Sequence, residues 1–182
     1  MQEGGDGQGG ATGGGRRYIV ASAHLVSERA AELSEVEFGL ITAGNAFHRW
    51  IVRCMAAAGM PDLSALDVLV LHSVHHRARG KRLADICFVL NVEEPHTVNY
   101  ALRKLLRLEL VRRERKGKDV IFETTEQGAE LIRRYREVRE ACLVSAFRSQ
   151  SSVDDRELAE LARVLRTLSG LYDQASRAAT SL

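Results

Sequence analysis

The sequence is poor in the features that mark secreted, membrane-spanning or cofactor-dependent proteins. Only three of its 182 residues are cysteine. Cys54, Cys87 and Cys142 stand far apart with no Cys-x-x-Cys pair, which fits a reducing compartment in which free cysteines serve as small buried hydrophobes. Cys54 is the candidate for a thiol sensor, because Arg53 beside it favours a thiolate. No apolar run approaches the roughly 18 residues of a membrane span. No basic start followed by an apolar stretch marks a secretory leader, so the expected location is the cytoplasm. The N-terminal glycines of MQEGGDGQGGATGGG have no apolar strand before them and no Gly-Lys-Ser/Thr after them, which argues against a phosphate loop. Residues 1–15 are expected to be a flexible tail. A nucleophile elbow, a glycine-rich cofactor loop and a convergent carboxylate pair are all missing, so neither an enzyme nor a cofactor is expected.

What is present is an ordinary globular composition with an uneven charge map. Hydrophobic residues make up 45% and charged residues 27% of the chain, enough for one domain with appended helices. The net charge of +2 hides two basic clusters. RARGKR, from Arg77 to Arg82, carries four cations and no acid; His96 to Lys118 carries eight cations against Glu109 and Glu114. Such asymmetry is the footprint of a phosphate-binding face on a near-neutral protein, with a merely solvated surface as the alternative for either cluster alone.

Periodicity supplies the elements. SEVE, Ser34 to Glu37, matches a capping box and predicts a short helix ending near Leu33 and a longer one to about Ala58. Along the longer helix Val36, Leu40, Ala43, Phe47, Trp50 or Ile51, and Cys54 form one apolar stripe. Gly59 and Pro61 end it, and Ser64 caps a helix to about Ala78 with Leu66, Leu69, Val70 and Val74 inward. A short helix follows, with Leu83, Ile86, Cys87 and Leu90 apolar. Pro95 then occupies the first position of another, where its missing N–H costs nothing. Val98, Ala101, Leu102 and Leu105 share one face of that helix. LVRRER and DVIFETT read as two strands joined at Lys116-Gly117-Lys118. A helix from about Glu126 to Arg148 carries Leu131, Tyr135, Val138, Cys142 and Ala146 on a stripe. The last helix, from about Val153, repeats Leu158, Leu161, Leu165, Leu168, Tyr172 and Ala175 at coiled-coil spacing.

Helix, turn, helix and hairpin make a winged helix-turn-helix, whose second helix enters the major groove of duplex DNA. The fold class is therefore mainly α (α+β), with N- and C-terminal dimerisation helices around the winged part. Expected boundaries are 1–15 for the tail, 16–61 for the N-terminal helices, 62–128 for the winged helix and 129–182 for the C-terminal helices. His96, Thr97, Asn99, Tyr100 and Arg103 are the candidates for base readout, since asparagine pairs with adenine and arginine with guanine through two bonds each. Phosphate contacts fall to Arg79, Lys81, Lys104, Arg107, Arg113, Arg115, Lys116 and Lys118. The apolar seams exceed what the middle of the chain can cover. Leu40, Phe47, Leu158, Leu161, Leu165, Leu168 and Tyr172 are accordingly expected to face a second copy.

The stretch DVLVLHSVHHRARGKRLADICFVLNVEEPHTVNYALRKLLRLELVRR, followed by TTEQGAELI, resembles the MarR family of bacterial transcription regulators, most closely its LdtR-type subgroup. The likeness runs from about Ala23 to Leu171. It implies a homodimeric winged-helix repressor or activator, controlled by small acidic or phenolic ligands held between the dimer layer and the DNA-binding lobe. Two positions depart from the family pattern. The wing's usual Asp-x-Arg is replaced by Gly117 and Asp119 with no arginine following, and the usual glycine after the recognition helix is Glu109. A shorter wing with a different brace is expected.

For an effector, Phe47, His48, Trp50 and Arg53 offer aromatic walls and one cation, suited to an anionic aromatic ligand, although helix core is the competing use of Phe47 and Trp50. His72, His75 and His76 include an i, i+4 pair able to bind zinc, but four ligands are needed and no acid or cysteine lies near in sequence. Surface histidines beside a basic face are the simpler reading, and no metal is expected. A winged helix turned to protein recognition, or a thiol or metal sensor of the same fold, stands as the alternative.

Overall fold

The computed structural model describes residues 30–182. The expected tail at 1–15 lies outside them. The first helix, α1 (Ala31–Ala57), runs through Ser34 without interruption. This corrects the boundary expected at the Ser34–Glu37 capping box. Ser34 is itself buried within α1, so a serine that looks like a cap in sequence is used inside the helix.

The middle of the chain follows local signals closely. α2 (Ala65–His75) starts at a reciprocal capping box: the Ser64 Oγ accepts from the Asp67 N–H at 3.2 Å, and the Asp67 carboxylate accepts from the Ser64 N–H at 2.8 Å. A single 3-10 turn (His76–Ala78) follows, with Arg77 at φ 62°. α3 (Leu83–Leu90) ends on Asn91 in the left-handed conformation, which asparagine tolerates better than most residues. α4 (Pro95–Arg107) has proline in its first turn, as expected. Its Val98, Ala101, Leu102 and Leu105 belong to one buried cluster with Val70, Leu71 and Val74 of α2, Ile86 of α3, and Ile51 and Met55 of α1.

Two antiparallel strands, β1 (Val111–Lys116) and β2 (Asp119–Thr124), pair from Val111↔Thr124 to Lys116↔Asp119. The two-residue connection places Gly117 at φ 65°, a conformation glycine adopts without penalty. The chain before α3 adds a third edge, since Lys81 and Phe122 exchange backbone hydrogen bonds of 2.9 and 2.8 Å. This approach needs Gly80, because a Cβ there would lie 2.1 Å from Cγ2 of Ile121.

α4, the hairpin and α5 (Glu126–Arg139) meet at Leu110. Its N–H donates to the Leu105 carbonyl at 3.0 Å, and its own carbonyl accepts from the Thr125 N–H at 3.2 Å. Thr125 then uses one hydroxyl twice, donating to the Glu109 carbonyl at 2.6 Å and accepting from the Gly128 N–H at 3.0 Å. A Cβ on Gly128 would fall 2.1 Å from the Leu110 carbonyl oxygen. Glu109 sits at φ 56°, where a glycine would be relaxed.

A π turn (Glu140–Val144) continues α5 into α6 (Ser145–Gln150), closed by an i→i+5 bond from the Ser145 N–H to the Glu140 carbonyl. The wider turn shifts the apolar register. Cys142, expected on the buried stripe, is exposed, and Val144 and Phe147 are half-buried instead. α7 (Asp155–Ala179) opens with an Asp154–Glu157 capping box and has no fully buried residue. Leu158, Leu161, Leu165 and Leu171 on α7, with Val36, Phe38, Ile41 and Phe47 on α1, leave large apolar side chains exposed.

The junction at Leu110 yields opposite expectations for two substitutions. Gly128→Ala should lower stability by about 3 kcal/mol, at the upper end for a clash against unyielding backbone. Glu109→Gly should raise it by about 0.5–1 kcal/mol by removing left-handed strain, net of glycine's entropy. Urea unfolding midpoints measure both; an unchanged midpoint for Gly128→Ala would contradict the close approach of α5 to Leu110.

Candidate nucleic-acid interface

The face of α4 opposite the core presents a compact row of polar groups. His96, Tyr100, Arg103 and Arg107 are exposed and spaced along one side, with Tyr100 68% accessible, while Thr97 and Asn99 are half-buried at its edge. Burial of Val98, Ala101, Leu102 and Leu105 fixes this orientation, since a helix that commits one stripe to the core has no freedom to turn the other. The Thr97 hydroxyl donates to the Glu94 carbonyl at 2.8 Å, and the His96 Nε2 lies 3.4 Å from the Glu94 carboxylate.

Beside α4 a groove is walled on one side by α3 and Asn99, and on the other by Arg113 and Lys118 of the hairpin. Arg115 is exposed and donates to the Gly117 carbonyl at 3.3 Å. Lys116 lies 3.1 Å from Glu114 and 3.6 Å from Glu123; the Glu114 carboxylate chiefly, with Glu123, raises its pKa and so favours the charged ammonium. Arg112 forms a two-pronged pair with Glu123 at 2.8 and 3.2 Å. This cross-strand pair braces the hairpin.

Two expected phosphate contacts point elsewhere. Lys81 is only 5% exposed, and its ammonium donates inward to the carbonyls of His76 at 2.7 Å and Arg79 at 3.1 Å. Burial, reinforced by Arg79 and Arg77, lowers its pKa. The backbone pairing of Lys81 with Phe122 draws its side chain under the turn. Lys104 is turned to the core side of α4, where its ammonium binds the buried Asp67 carboxylate at 2.8 Å and the Asp62 carbonyl at 2.5 Å. Both lysines are internal braces: Lys104 neutralises the buried Asp67 carboxylate, and Lys81 joins two carbonyls of the α2–α3 turn.

Cys54 is used as the small buried hydrophobe expected first, not as the thiol sensor kept as its alternative. It is buried, its thiol donates to the Tyr135 carbonyl at 3.5 Å, and burial raises its pKa, which disfavours the reactive thiolate. Nor is His72 a surface histidine. Its ring packs edge-on against Tyr135 with centroids 4.6 Å apart, and burial, then His75, lowers its pKa. Among the described residues no group of three or more His, Cys, Asp or Glu is arranged to hold a metal. Phe47, His48 and Arg53 are exposed and Trp50 is half-buried, with the Phe47 and His48 rings tilted at 6.1 Å. A site built from them needs walls from outside this chain.

Sequence reasoning missed three connections. Asp67 was legible as a capping residue but not as the partner of Lys104, because a separation of 37 residues carries no periodic signal. Asn91, in its left-handed cap, donates to Asp173 at 3.1 Å and Ser169 at 3.4 Å, tying the α3–α4 turn to α7. Tyr172 similarly donates to Glu37 at 3.3 Å.

Lys104→Ala should lower stability by about 2 kcal/mol by stranding the Asp67 carboxylate, less than a fully buried pair would cost because Lys104 is partly exposed. Arg107→Ala on the outer face should stay within about 0.5 kcal/mol. Denaturant titration distinguishes them, and equal small effects would contradict the inward role of Lys104.

Comparison with known proteins agrees with this geometry. Residues 63–128 match the family model described as winged helix DNA-binding domain. No curated protein matches the sequence. Among solved structures the chain is similar to a MarR-family transcriptional regulator from Rhodococcus sp. RHA1, at 16% identity and TM-score 0.61, covering 75% of this chain and 94% of that one. It is also similar to AbfR of Staphylococcus epidermidis, at 18% identity and TM-score 0.64, covering 81% and 96%. CouR from Rhodococcus jostii RHA1, solved with p-coumaroyl-CoA, aligns at 17% identity and TM-score 0.61, covering 74% and 91%. At these identities the likeness is one of fold, and the fold is a mainly helical winged helix-turn-helix.

Proposed function

We propose that the protein is a sequence-specific, DNA-binding transcription regulator of the MarR type, nearest the LdtR-like subgroup, working in the cytoplasm as a homodimer without enzymatic activity. The observation that carries this reading is the outer face of α4, where His96, Tyr100 and Arg103 stand exposed beside the basic hairpin. Asn99 and Arg103 are suited to adenine and guanine edges. Arg79, Arg107, Arg113, Arg115, Lys116 and Lys118 remain at the surface as phosphate contacts once Lys81 and Lys104 are set aside.

The exposed leucines of α7 and the apolar first half of α1 support a second copy, with residues 62–128 as the reading head and the flanking helices as the dimer layer. Two heads related by a two-fold axis would read half-sites about one helical turn apart. The Asn91–Asp173 bond gives the dimer layer a handle on the α3–α4 turn. A small aromatic or anionic effector that prefers one arrangement of the two heads would shift the population away from DNA binding.

Salt dependence tests the reading directly: engaging about six phosphates predicts a log–log slope near −5, whereas a protein-recognition module would show a shallow one. Arg103→Ala should cost about 1–3 kcal/mol on the preferred sequence and relax one base pair, while Lys118→Ala should weaken all sequences alike and flatten the slope by about one unit. Equal losses on specific and random duplexes would remove Arg103 from base readout. Leu165→Glu should convert dimer to monomer in sedimentation experiments, and a folded, fully dimeric variant would refute the seam.

A further inference from the structure

The helices α2, α3 and α4 are joined to the flanking helices at two places of opposite character. On one side Ile51, Cys54 and Met55 of α1, with Leu131 and Tyr135 of α5, share a buried cluster with them, which makes a packed joint. On the other side the α3–α4 turn meets α7 without packing. No residue of α7 is fully buried, and a cavity of about 350 Å³ lies between Leu40 of α1, Leu165 and Leu168 of α7, and Asn91. Asn91 spans the gap instead. Its Nδ2 donates to the Asp173 carboxylate at 3.1 Å and to the Ser169 hydroxyl at 3.4 Å, and those two acceptors stand one turn apart on the same face of α7. Among the described residues no other hydrogen bond or ion pair joins residues 65–124 to α7. The Asn91 backbone is fixed at the left-handed end of α3, where its N–H donates to the Phe88 carbonyl at 3.3 Å, so α3 itself carries the amide to its partners.

We propose that Asn91 and Asp173 form a clasp that sets which half-site spacing the dimer accepts, with Asn91 acting as a positioning residue rather than a DNA contact. The proposal rests on the dimeric regulator reading given above and deepens it. A head joined at one side can pivot there, and a second tie on the opposite side removes that rotation. An operator lengthened by one base pair turns its second half-site by about 35° and moves it by about 3.4 Å. The heads follow that shift by pivoting, and a contact of 3.1 Å does not survive a displacement of ångströms. Such an operator is therefore bound with clasps open, and its disadvantage includes what the clasps contribute. One exposed hydrogen bond to a carboxylate is worth a factor of about three to ten in an equilibrium.

The test uses the full chain. Asn91→Gly removes the amide and suits the left-handed cap, so an unchanged or raised unfolding midpoint verifies folding. Asp173→Ala removes the acceptor, whereas Asp173→Asn keeps an acceptor oxygen. Without DNA, residual dipolar couplings of the backbone amides report whether α2–α4 and α7 are oriented as one body. One alignment tensor should fit both in the wild type and in Asp173→Asn, and two should be needed in Asn91→Gly and Asp173→Ala. With DNA, affinities are measured for the preferred operator, for versions one base pair longer or shorter, and for a single half-site. Asn91→Gly and Asp173→Ala should each lower the ratio between correct and altered spacing by about three- to tenfold, with no further loss in the double variant and an unchanged single half-site affinity. Two tensors in the wild type would overturn the clasp. Spacing ratios that Asn91→Gly leaves unchanged, while its tensors separate, would overturn the role in spacing. A wild type that fits one tensor but prefers no duplex would sink the regulator reading and leave the tie between α3 and α7 intact.

Discussion

The Leu110 carbonyl is the point on which the candidate reading surface depends. It accepts the Thr125 N–H at the turn into α5 and lies so close to Gly128 that no larger residue fits, while the N–H of the same residue closes the end of α4. Thr125 locks the same spot with a hydroxyl that donates to one element and caps another. Three elements that would otherwise move as separate pieces are therefore fixed within a few ångströms. The strained φ of Glu109 is tolerated because these bonds leave that residue no alternative.

Close to this fixed end, the orientation of α4 is also set by a half-buried ion pair. Asp67 uses one oxygen for its own helix start and for Lys104, so the beginning of α2 and the last turn of α4 share a single carboxylate. Lys81 does the same for the α2–α3 turn, using a buried ammonium to gather two carbonyls while its backbone pairs with the hairpin. Two lysines are thus spent on geometry, and the cations that remain outside are arrayed on elements they hold still.

Much of this was legible in sequence where the signal is local. Ser64 as a cap, Pro95 as a helix start, the apolar stripe of α4 and the Lys116–Lys118 turn all reflect interactions within four residues, and the elements fall where those signals predict. Signals fail where tertiary burial competes. Ser34 has the cap pattern but is buried within α1. Cys142 has the spacing of a buried residue, but a π turn rotates it outward. Lys81 and Lys104 belong to basic clusters, and nothing in composition separates a cation facing solvent from one facing a buried carboxylate. The partners of Asn91 on α7, some 80 residues away, are likewise invisible to periodicity.

The exposed leucines of α7 and the half-exposed row on α1 give the proposed dimer its physical motive, and the α4 face gives it a purpose. Selection of bound fragments from randomised duplex DNA at near-physiological salt tests that combination most directly. The account predicts enrichment of one pseudo-palindrome whose half-sites lie about one helical turn, 10–10.5 base pairs, or a multiple of it apart. Recovery of sequences with no shared element, or of a single asymmetric half-site, would contradict it.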